Sequence, residues 1–255
     1  MQLRLPTSGL DRYKSASQRA RVATEEWATN NLYCITCRSD ALAPSPPGTR
    51  VIDYVCPRCD SRYQLKSQSH FFRTRVLDSD YATMLRAIQT GSAPHLMVLQ
   101  YEREAWAVVN LLFVPRFAFT RTVLEKRKAL GPHARRAGWI GCNFLLDKIP
   151  LDARISVIHD GVALQAATVR RQFERLKPLA ELKLEKRGWT LDTLNFIRSL
   201  GKQEFNLSDI YALEDQFKSL HPDNRHIRDK IRQQLQVLRD LRLLQFLRPG
   251  HYRLL

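Results

Sequence analysis

Long apolar runs are missing from this sequence. The most hydrophobic stretch, Trp106 to Val114, is interrupted by Asn110 and is far too short to cross a bilayer. Residues Met1 to Leu10 hold one arginine, Arg4, and no apolar block of the signal-peptide kind. The expectation is a cytoplasmic chain, monomeric in solution, with no membrane partner. Acidic residues are scarce too: 25 Asp and Glu face 41 Lys and Arg, a net charge of +16 over 255 residues. That excess says nothing about fold but favours a polyanionic partner, nucleic acid first. Cysteine is limited to five residues, four of them in two CxxC units, which excludes a disulfide scaffold and fits a reducing compartment. What remains is an ordinary globular mixture, 44% hydrophobic and 26% charged, with length enough for two domains.

Along the chain, Ser17 to Asn30 suits a helix with Val22 and Trp27 turned inward. The block 34–66 holds both CxxC pairs around a Pro/Ser/Gly-rich loop, Pro44 to Gly48, with short strands predicted over Val51 to Val55 and Arg62 to Ser67. Ser79 is placed to cap a helix ending near Gln89. His95 to Tyr101 and Ala105 to Val114 read as a hairpin or adjacent strands. A basic loop over 121–139, strands at Ile140 to Leu145 and Arg154 to Ile158, and a helix at Ala166 to Leu176 complete the first part.

The charged run Glu181 to Gly188 reads as a linker between a domain over 1–180 and a second over 189–255. After it come a helix from Thr190, a short strand at Glu204 to Leu207, and a helix capped by Ser208. A long amphipathic helix over Asp223 to Leu241 and a terminal hairpin turned by Arg248-Pro249-Gly250 follow. Three helices closed by a hairpin is the winged-helix order.

Cys34-Ile35-Thr36-Cys37 and Cys56-Pro57-Arg58-Cys59 are 18 residues apart, the spacing of a four-thiolate zinc ribbon. Four sulfur ligands leave zinc no open position, so its expected role is structural. Cys142 lies in an apolar stretch and reads as a buried small hydrophobe. Asp53 stands three residues before Cys56, and Gln64-Leu65-Lys66 begins five after Cys59. Alternation puts Gln64 and Lys66 on one face of a strand, where Asp53 joins them if the two strands pair. Oxygen ligands from Asp53 and Gln64 can hold Mg²⁺ against a phosphodiester, with Lys66 orienting or deprotonating water. Taken alone, D-x10-Q-x-K is a weak pattern, equally met on a solvated strand face.

Longer blocks supply context: YKSxSQxAR at Tyr13 to Arg21, TExW at Thr24 to Trp27, YATM at Tyr81 to Met84, ARRAGWIGCN at Ala134 to Asn143 and IRQQLQVLRD at Ile231 to Asp240. With the cysteine quartet, Asp53 and Leu65-Lys66, they make the chain resemble the DpnI family of methyl-directed type II restriction endonucleases over nearly its whole length. The resemblance implies an α/β fold: a mixed-sheet, restriction-endonuclease-like PD-(D/E)XK core with a four-cysteine zinc insertion, followed by a C-terminal winged helix. It also implies hydrolysis of duplex GATC carrying adenine methylation, with Asp53 and Lys66 catalytic and Cys34, Cys37, Cys56 and Cys59 on zinc. The family pattern has Glu where this chain has Gln64. A carboxamide oxygen can still meet Mg²⁺ but brings one charge fewer, so either metal affinity is lower, or Glu25, Glu26, Asp78 or Asp80 supplies the missing charge, or the protein is a methyl-DNA-binding regulator.

For DNA reading, Ile227, Ile231, Leu235 and Leu238 form one stripe of the long helix, leaving Arg228, Arg232, Gln233, Gln236 and Arg239 toward a groove. Gln matches adenine and Arg matches guanine in the major groove. Arg248 and His251 in the wing suit phosphate contacts. The basic loop brings Lys126, Arg127, Lys128, His133, Arg135 and Arg136 as a phosphate grip, and Trp139 as an aromatic against the added methyl groups. Trp27, Trp106 and Trp189 are expected in the core. A zinc-ribbon RNA-binding factor fits the charge but not the Asp53/Lys66 pair.

Overall fold

The computed structural model describes residues 1–46, 48–49, 51–72 and 74–255; Pro47, within the expected loop, and Arg50 and Arg73 lie outside the described residues. Helix α1 (Ala16–Asn31) opens the fold, its N-cap Ser15 accepting from the Gln18 amide. It is followed by β1 (Ala43–Pro44), β2 (Tyr54–Val55), β3 (Arg62–Gln68), β4 (Arg75–Asp80), α2 (Tyr81–Gln89), β5 (His95–Glu102) and β6 (Ala107–Val114). Next come β7 (Leu124–Lys126), β8 (Gly141–Leu145), β9 (Ile155–His159), β10 (Val162–Ala163) and α3 (Ala166–Leu176). The remainder is α4 (Leu184–Ser199), β11 (Glu204–Asn206), α5 (Leu207–Tyr211), α6 (Glu214–Leu220), α7 (Ile227–Asp240), β12 (Leu244–Arg248) and β13 (His251–Leu254).

A seven-stranded sheet in the order β1-β2-β3-β5-β6-β9-β10 forms the centre. Only β3 and β5 run parallel within it, as their connection through β4 and α2 requires, while the other pairs are antiparallel. A second sheet, β4-β8-β7, brings Asp78 to the Gln64 face of β3, and a third, β11-β13-β12, is the wing. The strands β5 and β6 are almost continuously buried, which explains their Val/Leu-rich composition and lack of polar alternation. Trp27 and Trp189 are core residues as expected, whereas Trp106 is half-buried and stacks on Tyr101.

Several expectations need correction. The first strand before the second CxxC is confined to Tyr54–Val55, because Val51 has a φ of 56°, outside any strand conformation. Ser79 does not cap α2; β4 runs through Asp80, whose carboxylate accepts from the Thr83 amide. The basic stretch 121–139 is not all loop, since Leu124 is buried and pairs with Phe144. Residues 184–188 are helical rather than a linker: Glu185 and Lys186 are the solvent side of the first turns of α4, and Gly188 is buried. Ser208 is likewise inside α5, which starts from an Asn206/Asp209 capping box. The helix after it breaks at 212–213, and the long helix starts only at Ile227.

The C-terminal region docks on the rest through polar ties. Arg198 donates to Asp152 at 2.8 Å and Asn195 to the Asp147 carbonyl at 3.1 Å. Ile227, Ile231, Leu235 and Leu238 are buried as the expected stripe of α7. Between them Gln234 is fully buried, accepting from the Thr190 hydroxyl at 2.7 Å. That satisfied polar pair joins α4 to α7.

Candidate active site

Two ligand clusters share the β2–β3 hairpin. The thiols of Cys34, Cys37, Cys56 and Cys59 all lie within 4.8 Å of one another. Sulfurs of Cys34 and Cys59, and of Cys37 and Cys56, are 3.6 Å apart. A tetrahedral zinc with bonds of about 2.3 Å separates its sulfurs by about 3.8 Å, so the donor set fits that ion. Ser39 and Arg58 amides donate to the Cys37 and Cys56 sulfurs at 3.4 Å. The Tyr63 hydroxyl lies 3.1 Å from Cys34 Sγ. Such outer contacts orient thiolates, and Tyr63 fastens the knuckle to β3.

Asp53 is tied to the same strand. Its backbone amide donates to the Tyr63 carbonyl at 2.9 Å, and its Oδ2 accepts from the Leu65 amide at 2.7 Å. Crowding by neighbouring atoms pushes the Asp53 carboxyl above the usual range; the Leu65 amide and the Lys66 charge oppose that shift, and Asp78 adds to it.

The sequence placed Gln64 and Lys66 on a common face, and the structure brings both to one atom. Gln64 Nε2 donates to Asp78 Oδ1 at 2.8 Å, and Lys66 Nζ sits 2.8 Å from the same oxygen. Gln64 is 2% exposed and the Asp78 side chain is fully enclosed, whereas Lys66 keeps partial access to solvent. With Nε2 committed to Asp78, the amide is locked so that its Oε1, the atom able to meet a cation, turns away from that carboxylate. The remaining Asp78 oxygen faces Cys142, whose buried thiol is pushed up to about 12 and so remains a protonated small hydrophobe.

Of the four acids considered as replacements for Glu at 64, Asp78 is in contact and Glu25 is close. Burial pushes the Glu25 carboxyl up, with the Asp53 charge adding to the shift, and the Glu25 carbonyl accepts from Tyr54. Asp80 is spent on its helix cap, held below the usual range by the Thr83 amide and hydroxyl, with Arg136 contributing. Asp78 was distinguishable in sequence only as one acid among several, because its partnership depends on β4 crossing β3.

Arg135 and Arg136 are exposed on the loop between β7 and β8. Arg136 lies over the half-buried Trp139 ring at 4.7 Å, and Trp139 Nε1 is buried without a partner among the described residues. A Cβ on Gly141 would fall 2.7 Å from that ring, so only glycine permits this placement. On α7, Arg228, Arg232, Gln233, Gln236 and Arg239 all face solvent. Three are engaged within the protein: Arg228 with Glu214 at 2.7 Å, Arg232 with Asp229, and Arg239 with Asp240 and the Phe246 ring. In the wing, Arg248 is exposed, while His251 is held by Asn206 and Glu204.

Two family models match the chain: the Dam-replacing family (DpnI) over residues 1–182, and the Dam-replacing HTH domain over 185–254. The chain belongs to the Dam-replacing family. Its mixed α/β architecture, its four-cysteine cluster and its helical C-terminal reader are the Dam-replacing arrangement seen in this molecule. Membership makes it a restriction-type DNA nuclease with a DNA-binding helix-turn-helix. Among the described residues, no helix is long and apolar enough to cross a membrane.

Proposed function

We propose that this protein is a methylation-dependent type II restriction endonuclease that hydrolyses duplex DNA at adenine-methylated GATC-like sites with Mg²⁺. The nuclease unit is 1–180 and the winged-helix reader 189–255, joined through the first turns of α4. The observation that carries the reading is the convergence of Gln64 and Lys66 on Asp78 beside Asp53. Asp53 and the Oε1 of Gln64 are the groups that would hold magnesium, which would supply Lewis acidity at the scissile phosphate. Lys66, fixed by one N–H to Asp78, has two further donors with which to orient water and neutralise phosphate oxygens. Asp78 is a positioning residue for both. Zinc on the four thiolates braces the hairpin that carries Asp53 and Lys66, and takes no part in hydrolysis.

Arg135 and Arg136 grip phosphates, and Trp139, whose ring packs in the space left by Gly141, offers apolar surface to the methyl groups. Gln233 and Gln236 read bases together with Arg228, Arg232 and Arg239, the three arginines doing so once DNA displaces their carboxylate partners. Reading by two units multiplies discrimination, at about 1–3 kcal/mol per mismatched contact. A second reading, a methyl-DNA-binding regulator, rests on Gln64, which removes one charge from the centre.

Incubation of the protein with adenine-methylated and unmethylated plasmid over a range of Mg²⁺ and Mn²⁺ separates them. Fragments from methylated plasmid alone, lost in Lys66→Ala, are the expected result. Methyl-selective binding without cleavage at any metal concentration selects the regulator.

A further inference from the structure

Strand alternation leaves Tyr63 and its register partner His95 on the face of the sheet opposite Gln64 and Lys66. There, beside the zinc knuckle, a cavity of about 620 Å³ is lined by His95, Arg62, Arg116, Phe117, Phe173 and Lys177. It adjoins a smaller one bordered by Arg116 and Arg187. His95 is 5% exposed, and burial, with the charge of Arg116 alongside, pushes its pKa down to about 3. Its Nδ1 accepts from the Arg116 backbone amide at 3.1 Å, so the neutral ring carries its proton on Nε2. The described residues offer that donor no acceptor.

The arginines are also unmatched. Arg116 and Arg187 are near enough for the Arg116 charge to add to burial in pulling Arg187 below its usual pKa. Among the described residues, the Arg116 side chain donates to the Gly91 carbonyl and that of Arg187 to the Leu182 carbonyl, and Arg187 Nε is buried with no partner. The acids nearby are Asp60, on the cavity wall, and Glu174, 3.4 Å from Lys177. The Arg116 charge and the free imidazole donor of His95 face the same cavity, and one oxyanion can accept from both.

We propose that this cavity binds a phosphorylated small molecule of about nucleotide size, its phosphate accepting from Arg116 and His95 and its apolar body lying on Phe117 and Phe173. The volume is in the range of ligand pockets, about 300–1,000 Å³. The site is independent of the cleavage reading, because it shares no residue with Asp53, Gln64, Lys66 or Asp78.

The test is titration calorimetry of the full chain with adenosine monophosphate, adenosine and inorganic phosphate. Adenosine monophosphate is expected to bind, with adenosine weaker by about tenfold or more and Arg116→Ala weakening the nucleotide by about tenfold. Removal of an unpaired cation leaves the melting temperature of the unliganded protein unchanged or higher, where loss of a structural contact lowers it. Absence of nucleotide binding overturns the proposal. So does binding weakened by Lys66→Ala but not by Arg116→Ala, which places the nucleotide at the cleavage site. If Arg116→Ala weakens only binding of a DNA duplex, the anion is a DNA phosphate and the small-molecule proposal fails.

Discussion

The thiolate cluster and the carboxylate cluster hang from the same hairpin, yet they are built in different ways. All four sulfurs come from two local turns, and their convergence needs only that the turns meet. The acid centre draws Asp53 from beside β2, Gln64 and Lys66 from β3 and Asp78 from β4, so it exists only when two sheets are in place. A ligand set written in the local sequence survives change elsewhere. One assembled across strands is sensitive to every element that carries a member.

The largest expected effect breaks the local cluster. Cys56→Ser, or prolonged chelation, should unfold the hairpin and cost stability of several kcal/mol, read as a large drop in melting temperature and loss of bound zinc by elemental analysis. Cleavage falls with it because Asp53 loses its anchor. An unchanged melting temperature would separate the two clusters that the hairpin joins. Next, Lys66→Ala strands the enclosed Asp78 carboxylate and should cost about 3 kcal/mol in denaturant unfolding, together with all cleavage. Asp78→Asn should be milder in stability, since Lys66 retains access to water, but should still lower cleavage sharply.

A smaller effect comes from His95. Its pKa is about 3 in the fold against an ordinary 6.5, so its contribution to stability is complete above 6.5 and is lost as pH falls from there toward 3. Urea midpoints should decline over that window, and His95→Gln, which keeps an acceptor for the Arg116 amide, should flatten the decline. The smallest is Thr190→Val, which leaves Gln234 unsatisfied at the α4–α7 contact and should cost about 1–3 kcal/mol.

The same contrast explains what was legible beforehand. The convergence of the four cysteines, the amphipathic stripe of α7 and the span of α3 follow from spacing and period alone, and they stand where expected. The pairing of Gln64 with Lys66 followed from strand alternation. Helix starts were misplaced by one or two residues at Asp80 and Asn206, because Ser, Asp and Asn compete as caps and tertiary pairing decides among them. The charged run at 184–188 hid a helix whose inward side is Gly188, a residue that argues against helix on propensity. The role of Asp78 was out of reach, since nothing local ties it to a strand fourteen residues away.

The measurement that bears most directly on the cleavage centre is the Mg²⁺ dependence of methylated-plasmid cleavage by wild type and Gln64→Glu. A carboxylate at 64 adds charge at the metal while facing Asp78 at hydrogen-bond range. The half-saturating Mg²⁺ should therefore fall several-fold, and the unliganded variant should melt at a lower temperature that Mg²⁺ restores. An unchanged Mg²⁺ requirement, or loss of cleavage in the variant, would contradict the assignment of Gln64 to the metal.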